Sequence, residues 1–580
     1  MLPPVAKDRR TGQGPFSNAK AARKVKVRLG DLSENSVILC ECNGRITGGL
    51  NTDDIASFLK RRSPDTEVIV ADNLCQPGAL QEYAGSRKIR PGVVGACTEL
   101  ENNRHFEKAK AELGCDSYSV RIVDLLAETN APYSIIERTE RAKLLLWAQI
   151  RRRSQFQRVP ADKLKMQFVK PEGEISRRDL LRLVLPRNTV IPFIEPVKCK
   201  ADRGCQLCLK ACPLNAIIAP DSEAVIDATL CNGCGACVAA CPERAVIYPT
   251  FSPEEINGEL EGLLLPDDVD LGPRIVGVSC QGGLPASGEK EAARPALPAN
   301  MLPLSIPSLA MVSPWLMLRA FYLGAQGLAL ITSPDTARRD VDFAQCEENV
   351  MFAQQILGCW GIEPQRVRVF TSTDSTIQRE LDRFAEEIAG LSRTPMLPAA
   401  DTPLPARGLM LPAILKNMGE RLGEPSGDVA TGNVACGTVK LDNSKCTGCG
   451  LCTMNCPTGA LSFTSNDEGV DLLKITFKHG NCVACGECVE ACPENCLTLE
   501  RSLNPGSVLR AAEVFFEDEI ARCRKCGKPI ASMAMIRQLR DRLSKSGAAT
   551  AHLELCPECR SASQFGLKDV RPDRAARVNS

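Results

Sequence analysis

CNGCGACVAACP, residues 231–242, and CTGCGLCTMNCP, residues 446–457, share one spacing, C-x2-C-x2-C-x3-C-P. Each has a companion. Cys199, Cys205, Cys208 and Cys212-Pro213 precede the first run with a wider opening gap. Cys482, Cys485, Cys488 and Cys492-Pro493 follow the second. Cysteines this close bridge poorly as disulfides, and no export signal points to an oxidising compartment. A zinc ion takes four ligands, whereas each paired run offers twice that number in interlocking order. The pattern asks for a larger metal group.

The spacing resembles the bacterial-type ferredoxin run. There three close thiolates hold one [4Fe–4S] cube, and the fourth, ahead of proline, reaches across to the neighbouring cube. Applied here, the crosswise rule puts Cys199, Cys205, Cys208 and Cys241 on one cube. Cys231, Cys234, Cys237 and Cys212 hold the second. Cys446, Cys449, Cys452 and Cys492 hold the third, and Cys482, Cys485, Cys488 and Cys456 the fourth. Cys436 and Cys496 fall outside these sets and read as packing residues.

Composition narrows the rest. A chain of 580 residues should form several domains, and 44% hydrophobic content can fill their cores. A formal net charge of +1 gives no global attraction to nucleic acid or anionic membranes. Thirty cysteines without a secretory pattern point to a reducing, cytoplasmic interior and to metal. Arg9-Arg10 lacks the apolar segment that a twin-arginine signal needs. The most apolar stretch, 305–331, is interrupted by Pro307, Pro314 and Arg319 and is unsuited to crossing a bilayer. The three histidines, His105, His479 and His552, are scattered, and no nucleophile elbow or phosphate loop occurs. Catalytic residues are therefore not expected.

The expected fold is multidomain, α/β plus α+β. It comprises two parallel-sheet α/β domains, two two-cluster ferredoxin modules and a C-terminal metal module built on four cysteines. Residues 1–30 read as a disordered basic tail. Residues 31–155 alternate strands with amphipathic helices, as parallel α/β domains do. Cys40 and Cys42 follow the first strand, Cys75 the second and Cys97 the third, so all four face the carboxyl-end crevice where ligands bind. Each is also readable as a small buried apolar residue. Residues 156–190 read as a linker, 191–251 as the first ferredoxin module and 252–272 as a Pro- and acid-rich linker. Residues 273–395 form the second α/β domain, 396–432 a linker and 433–503 the second module. Residues 504–580 carry Cys523-x2-Cys526 and Cys556-x2-Cys559, the spacing of a closed tetrahedral site, with zinc favoured over iron.

Two further resemblances attach to the α/β domains. ILCECNGRITGGLNTDDIASFLK, NLCQPG, GVVGACTE and the helix with Glu140-Arg141-Ala142-Lys143 resemble the amino-terminal domain of the A-type subunit of heterodisulfide reductase. That resemblance implies a fifth [4Fe–4S] cluster on Cys40, Cys42, Cys75 and Cys97. The family continues into a flavin domain, but no glycine-rich fingerprint follows here, so neither FAD nor NAD is expected. LRAFYLGAQGLALI and ILGCWGIEPQRVRVF resemble the delta subunit of methyl-viologen-reducing hydrogenase. Its [2Fe–2S] cysteines are mostly missing, since only Cys280 stands at a strand end and TSPDTARRD has none. That domain reads as a docking spacer. The functional expectation is an electron-transfer subunit of a larger oxidoreductase, fed by a dehydrogenase or hydrogenase acting on formate or hydrogen. The alternative is a redox-sensing or maturation factor.

Overall fold

The computed structural model describes residues 33–85, 89–97, 100, 103–113, 115, 120–156, 190–220, 223–249, 251–280, 297–332, 342–371, 376–394, 404–405, 409–467 and 470–564. The tail expected at 1–30 and nearly all of the 156–190 linker lie outside them.

Strands β1 (Ser33–Cys40), β2 (Glu67–Ala71), β3 (Ile89–Ala96) and β4 (Arg121–Asp124) pair in parallel, in the order β2-β1-β3-β4. The β-branched and leucine residues of β1 are buried on both faces, as a parallel sheet requires. Helix Thr52–Arg62 crosses between β1 and β2. Asn51 caps it by accepting the Asp54 N–H at 3.0 Å, and Lys60, Arg61 and Arg62 lie at its negative end. Chain order reverses between β1 and β3, and that switch point opens a crevice at their carboxyl ends.

The second α/β domain repeats the plan. Strands β9 (Ile275–Cys280), β10 (Met301–Ile306), β11 (Gly327–Thr332) and β12 (Val367–Thr371) pair in parallel, in the order β10-β9-β11-β12. β10 is hard to see locally, because Pro303 interrupts its apolar run. Here Pro303 takes a register position beside Gly277 on the edge of the sheet, where a missing N–H is tolerated.

The stretch 252–272 is not a linker. It folds as helix Pro253–Leu264, started by a capping box between Ser252 and Glu255. Its acids are buried against arginines from elsewhere. Glu255 pairs with Arg121 at 3.1 Å, Glu259 with Arg152, and Glu261 with Arg151 and, at 3.2 Å, with Arg319. Read alone, those glutamates look like a solvated segment; their partners come from both α/β domains. The helix packs on helix Ile135–Ser154 backbone to backbone. A Cβ on Gly262 would stand 2.4 Å from Ala148 Cα, and one on Gly258 would stand 2.6 Å from the Arg151 carbonyl oxygen. Arg141 completes the union by donating to the carbonyls of Ala299 and Met301 at 2.7 Å each. Gly262→Val should therefore destabilise the paired domains by about 1–3 kcal/mol, since backbone cannot move aside as a side chain can. Scanning calorimetry of the full chain checks this, and an unshifted transition would contradict the close crossing.

The 396–432 stretch likewise contains helix Met410–Leu422, whose Ile414, Leu415 and Met418 enter the main core. In the first cysteine-rich module, β5 (Phe193–Ile194) pairs with β8 (Val246–Ile247), and β6 (Ile217–Ile218) with β7 (Val225–Ile226), both antiparallel. The second module pairs β14 (Thr438–Leu441) with β17 (Leu497–Glu500), and the short β13 (Val429–Ala430) with β18 (Ser502–Leu503). It also carries the hairpin β15 (Leu461–Asp467) and β16 (Val470–Phe477). The C-terminal part is not detached from it. β19 (Glu513–Arg522) pairs antiparallel with β16, and β20 (Pro529–Ser532) adds to β19. Pro529 lies in the strand β20, and the helix that follows begins at Met533. Among the described residues no helix is long and apolar enough to cross a membrane.

Candidate metal centres

In the first module the two short sheets hold the cysteine loops face to face. Gly233 and Gly235 have φ of 72° and 73°, left-handed conformations that let the chain fold around one point between Cys231 and Cys237. Backbone donors aim at the sulfurs. The Ala216 N–H lies 3.2 Å from Cys212 Sγ, Ala245 N–H 3.2 Å from Cys241 Sγ and Gly233 N–H 3.4 Å from Cys231 Sγ. The thiols then fall into two groups. Burial first, then the like charges of Cys241, Cys205 and Cys199, push the Cys208 thiol up to about 12. Burial and then Cys234, Cys231, Cys208 and Cys212 raise Cys237. The chain has brought Cys241 to the Cys199 group and Cys212 to the Cys231 group. Cys208 and Cys237 are where the two groups adjoin.

The second module repeats the arrangement. Cys446, Cys449, Cys452 and Cys492 line one small cavity with Leu441, Leu461, Ile475 and Phe515. Burial and the charges of Cys449, Cys446 and Cys492 push the Cys452 thiol up to about 12. Burial and the charges of Cys482, Cys485, Cys456 and Cys452 do the same to Cys488. Cys452 and Cys488 therefore mark the contact between the groups of this module.

The modules also touch. After its burial, a backbone hydrogen bond and its own group, the Cys205 thiol feels Cys485 of the other module. Beside them, a Cβ on Gly204 would lie 3.5 Å from Glu487 Oε2. Sequence spacing alone does not reveal this junction, because 279 positions separate Cys205 from its neighbour Cys485.

Such groups fit an iron–sulfur cube by donor chemistry. Buried thiols crowded together resist joint ionisation, and a cationic metal core reverses that cost by holding them as thiolates. The N–H donors on Cys212, Cys231 and Cys241 suit sulfur that carries negative charge.

At the first α/β crevice, Cys40 ends β1 and Cys97 follows β3, on either side of the switch point. Cys40 Sγ lies 3.4 Å from Cys42 Sγ. Burial and then Cys40 and Cys97 raise the Cys42 thiol. Cys42, Asn43 and Gly44 have consecutive positive φ of 51°, 54° and 78°. That rare left-handed run turns the chain back over the strand end, and Asp72 Oδ1 accepts from the Asn43 N–H at 2.7 Å. Cys75 is half-buried on the turn beyond β2, where Asn103 Nδ2 donates to its carbonyl at 3.1 Å. In the second domain Cys280 takes the place of Cys40 at the end of the first strand. Buried Cys346 is its neighbour, pushed up to about 12 by burial and then by the charge of Cys280. The segment TSPDTARRD lies, after Thr332, outside the described residues.

At the C-terminal end the Sγ atoms of Cys523, Cys526, Cys556 and Cys559 all lie within 4.8 Å of one another. Gly527 turns the first knuckle with φ of 73°, and Lys528 clasps Glu558 of the second at 2.6 Å. Burial would raise the Cys523 thiol, but N–H groups of Cys556, Cys526 and Lys525 and the Cys526 thiol outweigh it and bring it down to about 6. A thiol already inclined to ionise, in a closed set of four, suits a structural metal ion.

Comparison with known families agrees with this geometry over part of the chain. Residues 445–496 match a 4Fe-4S dicluster domain and residues 224–247 a 4Fe-4S binding domain. Residues 275–392 match the delta subunit of methyl-viologen-reducing hydrogenase. The chain thus carries 4Fe-4S ferredoxin domains and a hydrogenase-delta-like α/β domain, which supports an iron–sulfur electron-transfer role. No curated protein matches it.

Proposed function

We propose that the chain is an iron–sulfur subunit that carries single electrons within a larger oxidoreductase. Its four ferredoxin-type sets are Cys199, Cys205, Cys208 and Cys241; Cys231, Cys234, Cys237 and Cys212; Cys446, Cys449, Cys452 and Cys492; and Cys482, Cys485, Cys488 and Cys456. When bound, a [4Fe–4S] cube supplies reversible one-electron chemistry. The observation that carries the reading is the approach of the two modules, where Gly204 lies against Glu487 and the Cys205 thiol feels the charge of Cys485. Cys208 likewise acts on the Cys237 thiol and Cys452 on the Cys488 thiol, so the four thiol groups are read as one row. The row runs from the Cys231 group through the Cys199 and Cys482 groups to the Cys446 group. Leu441, Leu461, Ile475 and Phe515 wall the Cys446 group, and backbone N–H groups stabilise charge on the sulfurs of Cys212, Cys231 and Cys241.

The crevice of Cys40, Cys42, Cys75 and Cys97 is the place for a fifth cube, as in the amino-terminal domain of the A-type subunit of heterodisulfide reductase. The Cys523, Cys526, Cys556 and Cys559 site takes zinc and holds the end of the chain together. The hydrogenase-delta-like domain favours a hydrogenase or formate dehydrogenase as the cytoplasmic redox partner. Anaerobically purified protein should contain about sixteen iron atoms, or about twenty with the crevice filled, at four per cube. It should also be reduced by such a partner enzyme. Iron near eight per chain would overturn the paired-module reading.

A further inference from the structure

Three of the four Cys-Pro runs continue in the same way. Cys212-Pro-Leu-Asn-Ala216, Cys241-Pro-Glu-Arg-Ala245 and Cys456-Pro-Thr-Gly-Ala460 each place alanine four residues after the cysteine. The fourth is Cys492-Pro-Glu-Asn-Cys496. The position lies over the ligand sulfur. Ala216 and Ala245 each donate their N–H to the preceding cysteine at 3.2 Å. The Cys496 N–H likewise favours the charged form of the Cys492 thiol. Ala216, Ala245 and Ala460 are all buried, so a methyl group suffices for packing there. Cys496 instead puts a second sulfur 3.3 Å from Cys492 Sγ, and its thiol also feels Cys446. The cavity that Cys446, Cys449, Cys452 and Cys492 line is lined by Cys496 as well. A cube takes four protein thiolates, and this cage offers five thiols.

We infer that Cys496 is an exchangeable ligand of the iron that Cys492 would hold, a reserve that the alanines of the other three runs cannot supply. The inference rests on the iron–sulfur reading above. Exchange conserves atoms and electrons. Cys496 loses its proton as its sulfur bonds iron, the bond from iron to Cys492 breaks, and the proton passes to the Cys492 sulfur 3.3 Å away. Nothing is oxidised or reduced, so no further reactant is needed. The other three runs hold only a methyl at this position.

The test uses the anaerobically loaded full chain, with iron analysis and electron paramagnetic resonance of the dithionite-reduced protein. Cys492→Ala and Cys496→Ala should each keep the wild-type iron content, with an altered spectrum for Cys492→Ala. The double variant should lose about four iron atoms. Loss of the same four by Cys492→Ala alone overturns the inference. Should Cys492→Ala fail to fold, Cys496→Ala decides, because alanine is what the other three runs carry. Its cube should be removed by a chelator several-fold faster than in the wild type, and equal rates overturn the proposal. Wild-type protein without iron in residues 433–503 would sink the iron–sulfur reading itself. Iron in the wild type with equal losses in the variants sinks only the role of Cys496.

Discussion

Cys526→Ala should release the chain beyond about Arg522 to protease while the remainder keeps its iron and is still reduced by dithionite. The four thiols of this site draw on two knuckles about thirty residues apart, joined by helix Met533–Lys545. Apart from the thiols the knuckles are held together by ion pairs such as Lys528 with Glu558 and Arg540 with Glu554, while most of the helix surface is exposed and Ile536 is its one buried residue. A closed set of four sulfur ligands contributes folding energy outright, and loss of one ligand removes it. The break should fall after β19, because Phe515 and Phe516 are buried in the core of the second module and β19 is paired with β16. Limited proteolysis and paramagnetic resonance on one sample separate the outcomes. A variant that keeps its tail and loses a paramagnetic signal would make the site a redox centre and refute the zinc assignment.

Cys231→Ala and Cys485→Ala should each lose about four iron atoms directly, with further loss spreading to the adjoining group of the same module. Neither has a spare thiol like Cys496 over its sulfur. The spread follows from the crossed chain. Cys212 sits between Cys208 and the hairpin of β6 and β7, and Cys237 lies against Cys208, so a collapsed Cys231 group loosens the Cys199 group. In the same way, Cys485→Ala should disturb the Cys446 group through Cys452 and Cys488. Cys346→Ala should leave iron content unchanged, because Cys346 belongs to none of the four sets and the thiol it feels is Cys280, which belongs to none either. Iron analysis of the three proteins decides, and wild-type iron in Cys231→Ala would remove the ligand assignment.

Local sequence carries the cysteine chemistry because spacing within a few residues decides it. Cys231, Cys234 and Cys237 can share one metal group wherever the module sits. The strands at 275–280, 327–332 and 367–371 are legible for a similar reason, since β-branched runs announce a buried parallel sheet. What cannot be read locally depends on distant partners. Glu255, Glu259 and Glu261 suggest a solvated linker until Arg121, Arg152 and Arg319 arrive from other domains. The junction of Cys205 with Cys485 is likewise a product of tertiary packing. Cys496 misleads for another reason. Taken singly it is a small buried residue; set beside Ala216, Ala245 and Ala460 it is the exception among four equivalent positions.

The glycine crossing of helices Pro253–Leu264 and Ile135–Ser154 bears on how faithfully such a molecule can conduct. Side-chain contacts can breathe as rotamers hop, but backbone resting on backbone at Gly258 and Gly262 has no rotamers to hop. The first ferredoxin module is spliced directly onto that beam, since β8 ends six residues before Pro253. Arg244 of the module clasps Glu254 in the first turn of the helix at 2.8 Å. Tunnelling rates fall steeply with separation, so a stiff mount keeps the gap at the Cys205 junction from wandering. This close helix crossing then serves as the optical bench of the molecule, holding the first module in place from outside its sulfur groups.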